Sequence, residues 1–221
     1  MAKEWTEADL KEIAQQLSCP SGEMGIATGE RMNRSNLNMT KRGFDILAIA
    51  NNDTVLEIGP GNAVQADAVV NAAEGVRYVG VDISETMIQE AQRRNTGLVA
   101  SNQVSFVLSD GQTMPFADNS FDKILTVNTV YFWQDPVSYI AEIYRVLKPG
   151  GRFALVFADK GFMDNLPFTQ YGFQTYDKSM AINLLQSAPF SLEAILEEID
   201  HTIGNLGHPV ERPIIIALAK K

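Results

Sequence analysis

Val55-Leu-Glu-Ile-Gly-Pro-Gly-Asn-Ala63 is the stretch that decides how this chain folds. A short buried strand runs from Thr54 to Ile58, a Gly-Pro-Gly turn follows, and apolar spacing predicts a helix over Ala63 to Ala73. Without a Cβ, Gly59 and Gly61 let the backbone turn tightly and approach a ligand, and the N-terminus of the following helix offers free N–H groups. Dinucleotide loops place a third glycine where this chain has Val64, which weakens a pyrophosphate reading and leaves it open. Glu57 lies inside the strand, a costly place for a carboxylate unless it is hydrogen-bonded or meets a positive group. An ammonium or sulfonium ligand relieves that cost; a pyrophosphate adds to it.

Outward from this loop, short apolar runs alternate with amphipathic segments. Strands are predicted at Arg77 to Val81, Val104 to Leu108, Phe121 to Val127 and Arg152 to Phe157. Helices are predicted at Ser84 to Arg94, with Ser84 as cap, and after Asp135-Pro136, an N-cap followed by proline in the first turn. Alternation of this kind means parallel strands, right-handed crossovers and helices on both faces. Upstream, helices at Thr6 to Leu17 and about Gly29 to Ile49 form an N-terminal helical extension. Downstream, a helix around Ser179 to Gln186 precedes a hairpin of Leu192 to Thr202 and Arg212 to Ala219, turning through Gly204-Asn-Leu-Gly207. The acidic run Glu193 to Asp200 also suits a helix. The expected fold is therefore α/β: a doubly wound, Rossmann-like, mostly parallel seven-stranded sheet with an antiparallel C-terminal hairpin. We read it as one domain, with residues 1–50 as the helical extension, 51–158 as the cofactor-binding core, and 159–221 as the substrate-side segment and hairpin.

Composition narrows the function. The chain has 221 residues, 45% hydrophobic and 20% charged, with a formal net charge of −9, one cysteine and two histidines. That charge repels a phosphate backbone unless basic residues gather on one face, and Lys41-Arg42, Arg93-Arg94 and Lys220-Lys221 are isolated pairs. Cys19 makes no internal disulfide, so a reducing compartment suits the chain, and no apolar run is long enough to span a membrane. A soluble, cytoplasmic protein is expected, acting on a small molecule rather than nucleic acid. With one Cys, two His and no paired-histidine motif, no metal site is expected. No sequence feature sets an oligomeric state.

Four motifs in order carry a family resemblance. Val55 to Ala63 resembles motif I of the class I S-adenosylmethionine-dependent methyltransferases, and Val79 to Ser84 resembles their ribose-binding motif. Ser109-Asp-Gly-Gln-Thr-Met-Pro-Phe-Ala-Asp-Asn-Ser-Phe-Asp122 and Leu147-Lys-Pro-Gly-Gly151 are similar to blocks of the ubiquinone and menaquinone biosynthesis branch. The resemblance implies S-adenosyl-L-methionine as cofactor. It would place Gly59, Pro60, Gly61 and Asn62 along the methionine moiety, with Glu57 near its ammonium group. Asp82 would take the ribose hydroxyls, and Ile83 and Met87 would flank the adenine. Asp110 would accept from the adenine amine, with Gly111 and Gln112 at the ring edge, and Asn128 would offer its carbonyl to the ammonium and face the methyl group. Ala63 stands where many relatives have glycine, and Asn128-Thr-Val-Tyr-Phe-Trp133 lacks a histidine that relatives often carry there.

Methyl transfer is an in-line displacement, so the protein has mainly to align the acceptor and exclude water. The candidates for the substrate side are Asn128, Tyr131, Phe132 and Trp133 after the fourth strand, and Tyr171 and Tyr176 in the aromatic-rich segment after the fifth. His201 and His208 are possible bases by chemistry alone. Two alternatives remain at this point: a cofactor-binding protein without transferase activity, and an NAD-linked oxidoreductase.

Overall fold

Apolar runs of four to seven residues that lack helical period can be buried on both faces, and they form the parallel part of a sheet here. The computed structural model describes residues 5–204 and 207–221. Helices α1 (Glu7–Ser18) and α2 (Gly22–Leu47) come first, then β1 (Thr54–Ile58), α3 (Ala66–Val70), β2 (Arg77–Asp82), α4 (Glu85–Arg94) and α5 (Thr96–Ala100). β3 (Val104–Leu108), β4 (Phe121–Val127), α6 (Pro136–Val146), β5 (Leu147–Ala158) and α7 (Lys160–Met163) follow, and α8 (Lys178–Gln186), β6 (Ser191–Ile203) and β7 (Pro209–Lys220) close the chain. The strand order is β3-β2-β1-β4-β5-β7-β6. The first five strands are parallel, and β7 pairs antiparallel with both β5 and β6. The chain winds outward from β1 to β3, then returns to β4 on the other side of β1. The crevice between β1 and β4 is where such sheets bind ligands.

Period-two burial divides the core. Phe153, Leu155 and Phe157 of β5 face α6 and its Ile140 and Ile143, whereas Ala154 and Val156 join Met39 and Leu47 of α2 on the opposite face. A third cluster gathers Val55, Tyr78, Val104 and Phe106 with Ile88 and Ala91 of α4. Helix α2 is thus one of the layers of the fold. It also begins at Gly22, seven positions before the residue expected from apolar spacing. Glycines in its first turns look like helix breakers in sequence, but Gly29 is where α2 meets α4: a Cβ there would stand 2.9 Å from Met87 Sδ. Close packing outweighs the propensity cost of about 1 kcal/mol.

The acidic run after α8 is strand. Consecutive carboxylates of β6 point to opposite faces, and each finds a different cation: Glu197 pairs with Lys178 of α8, and Glu198 with Arg42 of α2 at 2.9 Å. Asp200 pairs with Arg212 of β7 at 2.6 Å, and Glu193 with Arg152 of β5 at 2.8 Å. A helix would have gathered these charges on one side, so the tertiary partners decide the element. Of the turn joining the hairpin, Asn205 and Leu206 lie outside the described residues. Among the described residues no helix is long and apolar enough to cross a membrane.

Candidate functional site

The carboxyl ends of β1, β2 and β4 open into a cleft of about 1170 Å³, its mouth included. Its floor is the glycine turn. Gly59 has φ +70°, and a Cβ there would lie 2.4 Å from Thr129 Cγ2, so only glycine fits against the loop that follows β4. Gly61 at φ +58° faces open space, leaving its backbone accessible from the cleft. Ala63 also holds a left-handed conformation, φ 50°, which accounts for a preference for glycine at that position. Helix α3 starts only at Ala66 and runs five residues, later and shorter than expected. The helix N-terminus therefore does not follow directly on the glycines, and the Gly61 N–H donates instead to Asp82 Oδ2 at 3.2 Å.

Two buried carboxylates face this cleft. Asp82 ends β2, and its Oδ1 accepts from the Ser84 N–H at 2.9 Å while Ser84 itself caps α4. Burial pushes its pKa up to about 6, against the opposing pull of these backbone donors. Glu57 lies inside β1, where Oε2 accepts from Tyr78 Oη and Gln65 Nε2, both at 2.7 Å. Burial pushes its pKa up to about 7. Among the described residues neither carboxylate has a cationic partner within 4.0 Å. Two desolvated acids without counter-charge beside an open cleft are costly as built, and a ligand bearing positive charge and hydrogen-bond donors offsets the cost.

The sequence-derived residues divide clearly. Glu57, Gly59, Pro60, Gly61, Asp82 and Ile83 line the cleft, as do Met87, Gly111, Asn128, Phe132 and Trp133. Asn62 does not: it is buried behind the loop, accepting from Asn33 Nδ2 at 2.8 Å and donating to Glu30. Asp110 and Gln112 are exposed outside the lining, and Asp110 Oδ1 accepts from the N–H groups of Gln112 and Thr113 at 2.8 and 2.9 Å. Those donors hold the Asp110 carboxyl below its usual range. The Asp110 carboxylate thus closes its own turn, and Ser109 and Gly111 are the residues of that motif facing the cleft.

Asn128 takes a left-handed conformation, φ 58°, just past β4. Its side-chain oxygen accepts from the Ala158 N–H at 3.1 Å and from Tyr131 Oη at 3.0 Å, and its Nδ2 donates to Asn36 of α2 at 3.0 Å. Tyr131 is buried, and its hydroxyl is driven above the ordinary range mainly by desolvation, which unfits it for acid–base work at neutral pH. Tyr171 and Tyr176 are not brought to the cleft. Tyr171 stacks under Lys11 of α1, and Tyr176 is buried in the main core edge-on to Phe157. Trp133 borders the cleft with its indole N–H on Thr129 Oγ1, 3.2 Å away. His201 is exposed beside Glu211, and His208, also exposed, stands at the rim of a second chamber.

Sequence reasoning missed Gln65, Tyr78 and Asn36. Tyr78 had a signal: in the β1–β2 register Val55 lies opposite Tyr78 and Glu57 opposite Gly80, so Tyr78 and Glu57 are on the same face of the sheet. Asn36 had none, because nothing local ties α2 to the end of β4. Among the described residues no group of three or more His, Cys, Asp or Glu side chains could hold a metal.

Comparison with known proteins gives the family. The methyltransferase domain family matches residues 56–155. An uncharacterised methyltransferase of Bacillus subtilis, YdaC, is 31% identical over 130 residues, 59% of this chain and 70% of its own length. Demethylmenaquinone methyltransferase of Symbiobacterium thermophilum is 34% identical over 129 residues, 58% of this chain and half of its own length. In fold, an S-adenosylmethionine-dependent methyltransferase from Aquifex aeolicus superposes with a TM-score of 0.63 at 18% identity, covering 97% of this chain and 99% of that one. The resemblance drawn from four short motifs is borne out, including its company with the quinone-modifying branch. The chain belongs to the class I S-adenosylmethionine-dependent methyltransferases, and its cofactor is S-adenosylmethionine.

Proposed function

We propose that residues 1–221 work as one domain that methylates a small, partly apolar acceptor, without a metal ion and in the cytoplasm. The observation that carries this reading is the pair of buried, cation-free carboxylates, Glu57 and Asp82, at the glycine turn. Glu57 would hold the ammonium of the cofactor and Asp82 its ribose hydroxyls, while the open face of Gly61 leaves room for the chain between them. When bound, S-adenosylmethionine would supply a methyl group already activated by its sulfonium, for in-line transfer to an acceptor aligned beside it. The protein's part is to orient and to dry the site, for which Phe132, Trp133 and the roof of α2 supply the walls.

A dinucleotide fits this site poorly, because a pyrophosphate would lie against two acidic side chains. Nucleic acid also fits poorly. Lys160 and Lys178 are the lysines of the aromatic segment, and they are taken by Asp164 and Glu197. Calorimetry with S-adenosylmethionine, S-adenosylhomocysteine and NADH tests the cofactor; tighter binding of NADH overturns the reading. Release of S-adenosylhomocysteine from a metabolite pool, with no label entering RNA or DNA, tests the acceptor class.

Two results follow from the geometry. The ammonium group would lower the pKa of Glu57 from about 7, and ribose hydroxyls donating to Asp82 would lower that group from about 6, so binding releases protons and the affinity for S-adenosylmethionine rises between pH 5.5 and 8. Calorimetry in buffers of different ionisation enthalpy reads the proton count directly, and a zero or inward count contradicts the assignment. Phe132, half-buried and bordering both the cleft and the chamber beside it, is expected to matter for turnover. Phe132→Leu should lower kcat/KM about tenfold, a loss of roughly 1.4 kcal/mol, with cofactor Kd within about twofold. Unchanged turnover removes Phe132 from the substrate side.

A further inference from the structure

Beside the cofactor cleft lies a second chamber of about 850 Å³ with its mouth, and the two share Leu17, Met32, Asn36, Asn128 and Phe132 along their common border. We propose that this chamber is the acceptor site, and that it takes an uncharged, ring-bearing molecule with one hydrogen-bonding oxygen held by Ser35 Oγ and the Arg212 guanidinium. The proposal rests on the methyltransferase reading of the neighbouring cleft and adds to it the class of substrate.

Its two walls differ in kind. One is aromatic and apolar: Phe132 meets Phe173 edge-on at 4.6 Å, Phe168 lies 5.8 Å from Phe173, and Phe162 and Leu166 complete it. Flat rings pack well there, by burial and by edge contacts. The other wall is polar and comes from α2 and the C-terminal hairpin. Ser35 is 1% exposed, and among the described residues its Oγ has no hydrogen-bond partner. An unsatisfied buried hydroxyl costs about 1–3 kcal/mol, so a partner is to be sought in whatever fills the chamber. Next to it, Arg212 donates from Nε and Nη2 to Asp200 and from Nη2 to the Ser35 carbonyl, whereas among the described residues Nη1 makes only a long contact, 3.4 Å, with Asn36. A guanidinium carries five N–H groups, so among the described residues one on Nη1 has no acceptor.

Charge sets the class. Arg212 is already neutralised by Asp200, so the wall presents directed donors without net positive charge. A hydroxyl or carbonyl oxygen suits that wall; a phosphate would surrender its hydration and meet the Asp200 carboxylate in return. The polar wall also adjoins Asn128 through Asn36, so an oxygen held there keeps its neighbouring atoms at the border with the cofactor cleft.

The test uses the full chain, with and without S-adenosylhomocysteine, titrated with 2-naphthol, naphthalene and 2-naphthyl phosphate. We expect 2-naphthol to bind more tightly than either of the others. Ser35→Ala removes a hydroxyl with no partner among the described residues, so the fold should be kept, and 2-naphthol should bind about fivefold to tenfold more weakly while naphthalene is unaffected. Val210→Trp, at a half-buried position on the hairpin side, should block both ligands and leave S-adenosylhomocysteine affinity within about twofold. A 2-naphthol Kd unchanged by Ser35→Ala, or tighter binding of 2-naphthyl phosphate, overturns the proposal. Failure to bind S-adenosylhomocysteine counts against the cofactor reading alone, because the naphthol titrations are also read without it.

Discussion

Glu57→Gln is expected to make the unliganded protein more stable at pH 8, by on the order of 3 kcal/mol, while weakening S-adenosylmethionine at least tenfold. The gain has a definite pH course. Folding raises the Glu57 pKa from 4.5 to about 7, so it favours the protonated acid. That stabilisation is intact below about pH 4.5 and is lost as the pH climbs through 7. Glutamine resembles the protonated form at every pH, and one amide oxygen can accept from both Tyr78 and Gln65. Denaturant titrations of the two proteins should therefore coincide near pH 4.5 and separate steadily toward pH 8. For a chain of this length each kcal/mol corresponds to roughly 2–4 °C in Tm, so the separation is readily seen. The opposite effect on the cofactor is the informative half. If Glu57→Gln binds S-adenosylmethionine as tightly as the parent, the carboxylate does not meet the ammonium group and its burial needs another cause.

Asp200→Ala should destabilise the fold by about 3–5 kcal/mol. Arg212 is paired with Asp200 through two nitrogens, at 2.6 and 3.2 Å, and both side chains are buried. Removing the acid strands a desolvated guanidinium, and it also deprives Asn38 of the Oδ1 that accepts its amide at 3.0 Å. The double variant Asp200→Leu with Arg212→Met, which strands no charge, should recover much of the loss, since a buried ion pair contributes little net stability beside apolar residues of similar volume. A single-variant loss under about 1 kcal/mol would show that water reaches the pair.

The parallel core was legible because its strands are short, apolar on both faces and separated by caps that work locally. β1 and β3 fall on the expected residues, Ser84 caps α4 through the Met87 N–H, and Asp135 caps α6 through Ser138. What sequence could not supply is contact across the chain. The early start of α2 is tied to α4, where Thr86 Oγ1 accepts from the Gly22 N–H at 3.2 Å, and the strand state of β6 depends on Arg42, Lys178, Arg152 and Arg212 arriving from four other elements. The site shows the same division. Glu57, Gly59 and Asp82 belong to local motifs and line the cleft, whereas Ser35, Asn36 and Arg212, on α2 and β7, meet only through tertiary packing. Tyr176 was misplaced because an aromatic residue in an irregular segment carries no sign of which way it turns; it packs into the core against Phe157.

The stitching of α2 to the hairpin, through Arg212 to the Ser35 carbonyl and Thr202 to the same carbonyl at 3.0 Å, joins segments from opposite ends of the chain. The family match, residues 56–155, lies between them and contains neither. A chimera that grafts the hairpin of a relative onto this core would therefore inherit half of a polar wall, facing a helix shaped for the other half. Recombination aimed at a new acceptor has to exchange Gly22–Leu47 together with both hairpin strands, Ser191–Ile203 and Pro209–Lys220, as one unit, and parents that differ in only the helix or only the hairpin should yield chains with no acceptor preference inherited intact.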